Sequence, residues 1–132
     1  MQRVLIDACG WVACVDAKLN VERELEALLG PCEWMLLPSV HRELQRLQDQ
    51  RPRSKSLLLA LLEAKSTAHV PDGTGGEEAA TRHTDDEIFA CAQAHGWATL
   101  TVDSGLKHRL FEANLTVVEV RKNQHLYVLD SL

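Results

Sequence analysis

A chain of 132 residues has room for one hydrophobic core and not for two, and 45% hydrophobic with 25% charged residues is the balance of a folded domain rather than a disordered segment. The formal charge of −5 argues against a protein that coats nucleic acid by bulk electrostatics, and no apolar run approaches the roughly 18 residues that a membrane span requires. Met1 to Ile6 is too short, and meets a charge too soon, for a secretory leader, so the expectation is one soluble, cytoplasmic domain over residues 1–132 with no membrane partner.

Arg3 to Ile6 predicts a buried strand, followed by a helix through Trp11 and Val15. Val21, Leu25, Leu28 and Leu29 recur at helical spacing, and Gly30-Pro31 ends that helix. Trp34 to Leu37 reads as a second strand stopped by Pro38, and Ser39 as the N-cap of a helix through Val40, Leu44 and Leu47. Pro52 breaks that helix, and another runs from Ser54 to Ala64. Ala68 to Val70 is a short third strand, and Pro71 to Arg82 a Gly-rich, acidic loop. Thr84-Asp85-Asp86-Glu87 has the form of a capping box, so a helix starts there and runs to His95 with Gly96 as its C-cap. Trp97 to Val102 is a strand, Leu106 to Glu112 a helix, Leu115 to Val120 a strand, and Leu126 to Leu129 an added edge strand. This alternation predicts a three-layer α/β/α sandwich around a mostly parallel central sheet. Such sheets bind ligands in the crevice beyond the carboxyl ends of their strands.

Cys9, Cys14, Cys32 and Cys91 contain no C-x-x-C pair and read as a reduced, buried set. The histidines (His41, His69, His83, His95, His108, His125) do not repeat at ligand spacing, so no structural zinc site is expected.

Four acids stand out. Asp7 and Asp103 each end an apolar run, and an ionised carboxylate there must face a polar crevice, because burying it costs too much. Asp86 lies in the first turn of its helix between Asp85 and Glu87, more acid than capping or the helix dipole calls for. Glu43 borders the apolar stripe of its helix, where it serves either the crevice or a surface pair with Arg42 or Arg46.

The ordered set Asp7, Glu43 in Ser39-Val40-His41-Arg42-Glu43-Leu44, Asp86 in Thr84-Asp85-Asp86-Glu87-Ile88, and Asp103 in Thr101-Val102-Asp103 resembles PIN-domain nucleases over the whole chain. Thr84-Asp85-Asp86 followed by Leu106-Lys107-His108-Arg109-Leu110 is similar to the archaeal and eukaryotic ribosomal-RNA-processing branch, with VapC-type toxin ribonucleases as the nearby alternative. The resemblance implies hydrolysis of RNA phosphodiester bonds with Mg²⁺ or Mn²⁺. Carboxylates 4 Å apart repel by about 1 kcal/mol in water and about 4 kcal/mol at an effective dielectric of 20, and such crowding persists where a hard cation neutralises it. Asp7 and Asp103 are then the principal metal ligands and catalytic residues, with Asp86 and Glu43 binding directly or through water and Asp85 as a substitute.

Arg42, Arg46, Lys107 and Arg109 are the candidate substrate-binding residues, with Arg51, Arg53, Lys55 and His108 nearby in sequence. Where relatives carry polar residues after the first Asp, this chain has Ala8 and Cys9. Gly105 follows the last acid where many relatives have another acid or Asn. These departures predict less orientation of Asp7 and a weaker second metal site. They leave open a catalytically weak PIN-fold module that binds RNA or protein. Further expectations are an antitoxin or a ribosome-assembly partner, and a homodimer through the leucine-rich helices at Val21–Leu29 and Ser54–Ala64. A phosphate-accepting receiver domain is disfavoured, because Ala68 to Pro71 lacks an acid before Asp72 and the late strands end in Asp103 and Arg121.

Overall fold

The structure is a computed structural model that describes residues 2–50, 52–70, 84–121 and 125–130; the side chains of residues 53–56 and 58 also lie outside the description. The elements, in chain order, are β1 (Gln2–Ile6), α1 (Ala8–Asp16), α2 (Val21–Leu29), β2 (Cys32–Leu36), α3 (Pro38–Gln48), α4 (Arg53–Ala64), β3 (Thr67–Ala68), α5 (Thr84–His95), β4 (Ala98–Leu100), α6 (Ser104–Glu112), β5 (Val117–Arg121) and β6 (His125–Val128). The expected loop from Pro71 to Arg82 lies outside the described residues, as does His83.

The six strands form one sheet in the order β3-β2-β1-β4-β5-β6. All pairings are parallel except that of β5 with β6. The chain therefore leaves β1 in one direction, through β2 to β3, and resumes at β4 in the other, through β5. Right-handed crossovers place α1 to α4 on one face and α5 and α6 on the opposite one. Accordingly, α1 packs on α3 and α4, whereas α5 packs on α6. The expected α/β sandwich is the observed architecture. The reversal point lies between β1 and β4, whose register runs Val4 with Ala98, Leu5 with Thr99 and Ile6 with Leu100.

The core is mostly aliphatic: Val4, Leu5 and Ile6 of β1, Leu25 of α2, Leu44 of α3, Ile88 of α5, Leu100 of β4 and Leu110 of α6 are all 1% exposed or less. Each such side chain contributes about 1.5–3 kcal/mol by leaving water. Trp11 and Trp34 meet edge to face in the same core, with centroids 5.4 Å apart. Val21 and Leu25 of α2 are spent on this core, while Leu57 and Leu61 of α4 remain exposed.

Helix ends follow local chemistry. Asn20 caps α2 by accepting from the Arg23 N–H, and Gly30 at φ +80° ends it. Gly96 at φ +69° follows α5, a backbone region that costs a side-chain-bearing residue more than glycine. The expected cap at Ser39 is not formed. Leu37 precedes α3, Pro38 takes its first turn without a side-chain cap, and Ser39 is buried with its Oγ lacking a hydrogen-bond partner. Proline supplies the pre-set φ at this position. The third strand comes one residue earlier than expected and is two residues long, and β4 spans only the middle of the run from Trp97 to Val102.

Candidate active site

Asp7 leaves the carboxyl end of β1 and becomes the N-cap of α1, with its Oδ1 accepting the Gly10 N–H at 2.7 Å. Its Oδ2 accepts from the Thr101 hydroxyl at 2.5 Å and from the Cys9 thiol at 3.1 Å. The residue is only 4% exposed. Burial pushes its carboxyl up from the ordinary 3.8, against the three donors that favour the anion, and the charge of Asp85 pushes in the same direction as burial.

Gly10 is where the chain packs too tightly for a side chain. A Cβ there would lie 2.7 Å from the Leu100 carbonyl oxygen and 2.8 Å from Asp7 Oδ1. This close approach lets the first turn of α1 sit against the end of β4, and the Asp7 N–H reaches the Leu100 carbonyl at 3.3 Å.

Thr101, fully buried just beyond β4, joins two of the expected acids. While donating to Asp7, its Oγ1 accepts the backbone N–H of Asp103 at 3.1 Å. Asp103 in turn caps α6 through the Leu106 N–H at 2.9 Å. Both strand-end acids thus cap helices, and the two helices start on either side of the reversal between β1 and β4.

Cys9 does what its sequence position did not advertise. It was expected to leave Asp7 without an orienting group, yet its thiol donates to Asp7 Oδ2. Burial, with the Asp7 charge behind it, raises this thiol to about 11, so the proton that makes the bond is retained at neutral pH.

The two acids in the first turn of α5 take different directions. Asp85 is half-buried and acts electrostatically on Asp7. Asp86 is exposed and paired with Arg109 at 2.8 Å. Neighbours on a helix diverge by about 100°, since 3.6 residues make a turn, so the two cannot face the same way. Arg109 also lies over the Phe89 ring, 4.6 Å from its centroid.

Glu43 on α3 is half-buried and accepts from Arg46 at 2.5 Å. Arg42, one position earlier, lines a cavity of about 600 Å³ beside the carboxyl ends of β2 and β3, together with His41, Glu63 and Pro38. Lys107 is turned toward Glu119 at 3.2 Å rather than outward, and His108 pairs with Glu112. Arg51 and the side chains of Arg53 and Lys55 lie outside the described residues.

Among the described residues Asp7, Glu43, Asp85, Asp86 and Asp103 do not bring three carboxylates together at one point. Asp85 bears on Asp7, and Thr101 ties Asp7 to Asp103. A divalent cation fits these groups: the donors are hard oxygens, and the most buried of them is an anion that burial and a neighbouring carboxylate both disfavour.

The model of the PIN-like domain family matches residues 4–123. The chain belongs to the PIN-like domain family. A solved structure described as that of the PIN domain endonuclease Utp24 superimposes with a TM-score of 0.76 at 19% identity, covering 98% of this chain and 92% of that one. At that identity the likeness is one of fold. No curated protein matches. The match takes in Asp7, Glu43, Asp85, Asp86 and Asp103, so every acid discussed above lies inside the PIN-like region.

Proposed function

We propose that this PIN-like chain is an endoribonuclease that hydrolyses RNA phosphodiester bonds with Mg²⁺ or Mn²⁺, and that it serves in ribosomal-RNA processing. One observation carries the reading: a nearly buried carboxylate, Asp7, sits at the sheet's reversal point, faces the charge of Asp85 and is joined through Thr101 to Asp103. A carboxylate held in that state has a use when a cation shares its pocket, and sheets of this topology bind their ligands at this point. The processing role rests on the resemblance of the Thr84–Asp86 and Leu106–Leu110 stretches and on the fold shared with an endonuclease.

In this mechanism Asp7, Asp85 and Asp103 would hold the cation, and Glu43 and Asp86, paired with Arg46 and Arg109, would act on it through water. When bound, the cation supplies charge stabilisation at the phosphate and a lowered pKa for the attacking water. The Gly10 N–H, the Thr101 hydroxyl and the Cys9 thiol keep Asp7 in one orientation, so no rotamer has to be frozen when metal and substrate arrive. Arg109 exchanges Asp86 for a phosphate oxygen while its guanidinium stays on Phe89. Arg42 and Arg46 add positive charge from α3 and give an acidic protein a local grip on the strand.

The test is cleavage of a structured RNA by purified protein with Mg²⁺, Mn²⁺ or EDTA, beside calorimetry with Mn²⁺. Asp7→Asn and Asp85→Asn should abolish metal-dependent cleavage and weaken Mn²⁺ binding. Cleavage that persists in EDTA, or at the parent rate in Asp7→Asn, would sink the proposal. Mn²⁺ binding without cleavage of any RNA would favour a binding module.

A further inference from the structure

Cys91 and His95 stand four residues apart on α5, so they share one face of the helix. His69, just past β3, joins them from a segment far earlier in the chain. The ligand atoms of His69, Cys91 and His95 all lie within 4.8 Å of one another, a grouping of three metal-binding side chains among the described residues. The Nε2 of His69 is buried and has no hydrogen-bond partner, a condition that native structures rarely leave unanswered. Trp97 arranges the rings: it stacks on His95 with centroids 4.3 Å apart at 16°, and meets His69 edge to face at 4.9 Å. Cys91 is buried and His95 exposed, so the grouping runs from the interior to solvent.

One thiol and two imidazoles are borderline-soft donors that select Zn²⁺, in contrast to the all-oxygen set around Asp7. Tetrahedral zinc, with Zn–S of about 2.3 Å and Zn–N of about 2.0–2.1 Å, wants ligand atoms roughly 3.3–3.6 Å apart. Closure therefore asks for a contraction of about 1 Å. We propose that His69, Cys91 and His95 form a zinc site, with solvent in the fourth position, that clamps the segment after β3 onto the last two turns of α5. As the ion binds, the Cys91 thiol gives its proton to solvent and the sulfur becomes the ligand. At about 1.5 Å per residue, His95 stands roughly 13 Å along the helix from Asp86. The ion would thus hold the far end of the helix whose first turn carries Asp85 and Asp86, and take no part in cleavage. The C-x-x-x-H spacing of Cys91 and His95 carries no sign of the third ligand, which comes from outside the helix.

Metal analysis of the untagged protein after dialysis against Mg²⁺, followed by Co²⁺ titration of the chelator-treated protein, tests this. The expected result is stoichiometric zinc and a sulfur-to-cobalt charge-transfer band. Cys91→Ser should abolish that band, and His95→Ala, at an exposed position, should lower zinc affinity by about tenfold or more with an unchanged circular-dichroism spectrum. Absence of zinc with no charge-transfer band overturns the proposal. So does a band that survives Cys91→Ser and therefore belongs to another cysteine, or an unchanged zinc affinity in His95→Ala. Mn²⁺ binding at the acidic site should be the same in His95→Ala as in the parent, so failure here and failure of the nuclease reading are separate results.

Discussion

The Thr101 hydroxyl donates to Asp7 Oδ2 at 2.5 Å across the seam where β1 and β4 diverge, and the same oxygen accepts the Asp103 N–H. Thr101→Val keeps the shape and removes both roles. It leaves a buried carboxylate one donor short and the Asp103 N–H without its acceptor, at a cost of about 1–3 kcal/mol of stability. Cleavage should fall by more than the loss of folded protein explains, and Thr101→Ser should restore most of it. Equal rates in the Val variant and the parent, measured where both are folded, would remove Thr101 from the site.

Asp7 carries a pH signature of opposite sign to the usual acidic residue. Its carboxyl is pushed above 3.8 by burial, so across the interval between the unfolded and folded values the folded state binds more proton than the unfolded one. Stability is then lost as pH rises through that interval, and the full cost is present above it. In chelator at pH 7, Asp7→Asn should therefore be more resistant to urea than the parent while failing to cleave RNA. The advantage should shrink as the pH is lowered toward 4. A variant less stable than the parent at pH 7 would show that the three donors outweigh burial.

Two glycines near the acids should respond differently to alanine. At Gly10 the added carbon has no room beside the Leu100 carbonyl oxygen, and Gly10→Ala should lose about 1–3 kcal/mol together with activity. At Gly105, exposed on α6, the nearest atom is Asp103 Oδ1 at 3.3 Å, at the end of a side chain that has only to give by a few tenths of an ångström. Gly105→Ala should stay within about 1 kcal/mol of the parent, helix propensity offsetting the adjustment of the Asp103 cap. Denaturant midpoints for the pair decide it.

Arg109 should reveal itself through salt. If its guanidinium transfers from Asp86 to a backbone phosphate, Arg109→Gln should weaken RNA binding uniformly across sequences. The slope of log K against log salt should become shallower by about 1. An unchanged slope would leave Arg109 as a structural partner of Asp86 and Phe89.

The order of strands and helices was legible because its punctuation is chemical. Asn20 and Gly30 bracket α2, Gly96 ends α5, and a hydrophobic run before Asp7 or Asp103 can hardly be anything but a strand ending at a polar crevice. What escaped was anything that depends on rotation about an axis or on a distant partner. Asp85 and Asp86 are equally good first-turn acids, and only the packing of α5 decides which of them bears on Asp7. Cys9 looked like a lost polar residue because a thiol's donor role depends on a carboxylate within reach. Ser39 has the composition of a cap, but Pro38 before it had already set the backbone. His69 reaches Cys91 and His95 from far away in the chain, and helical spacing carries no trace of it.

The sheet ends on one side in β3, only two residues long, whose Thr67 and Ala68 are both exposed. A margin that short offers little template for a foreign strand. Edge-to-edge recruitment of another chain is thereby discouraged at this side of the sheet.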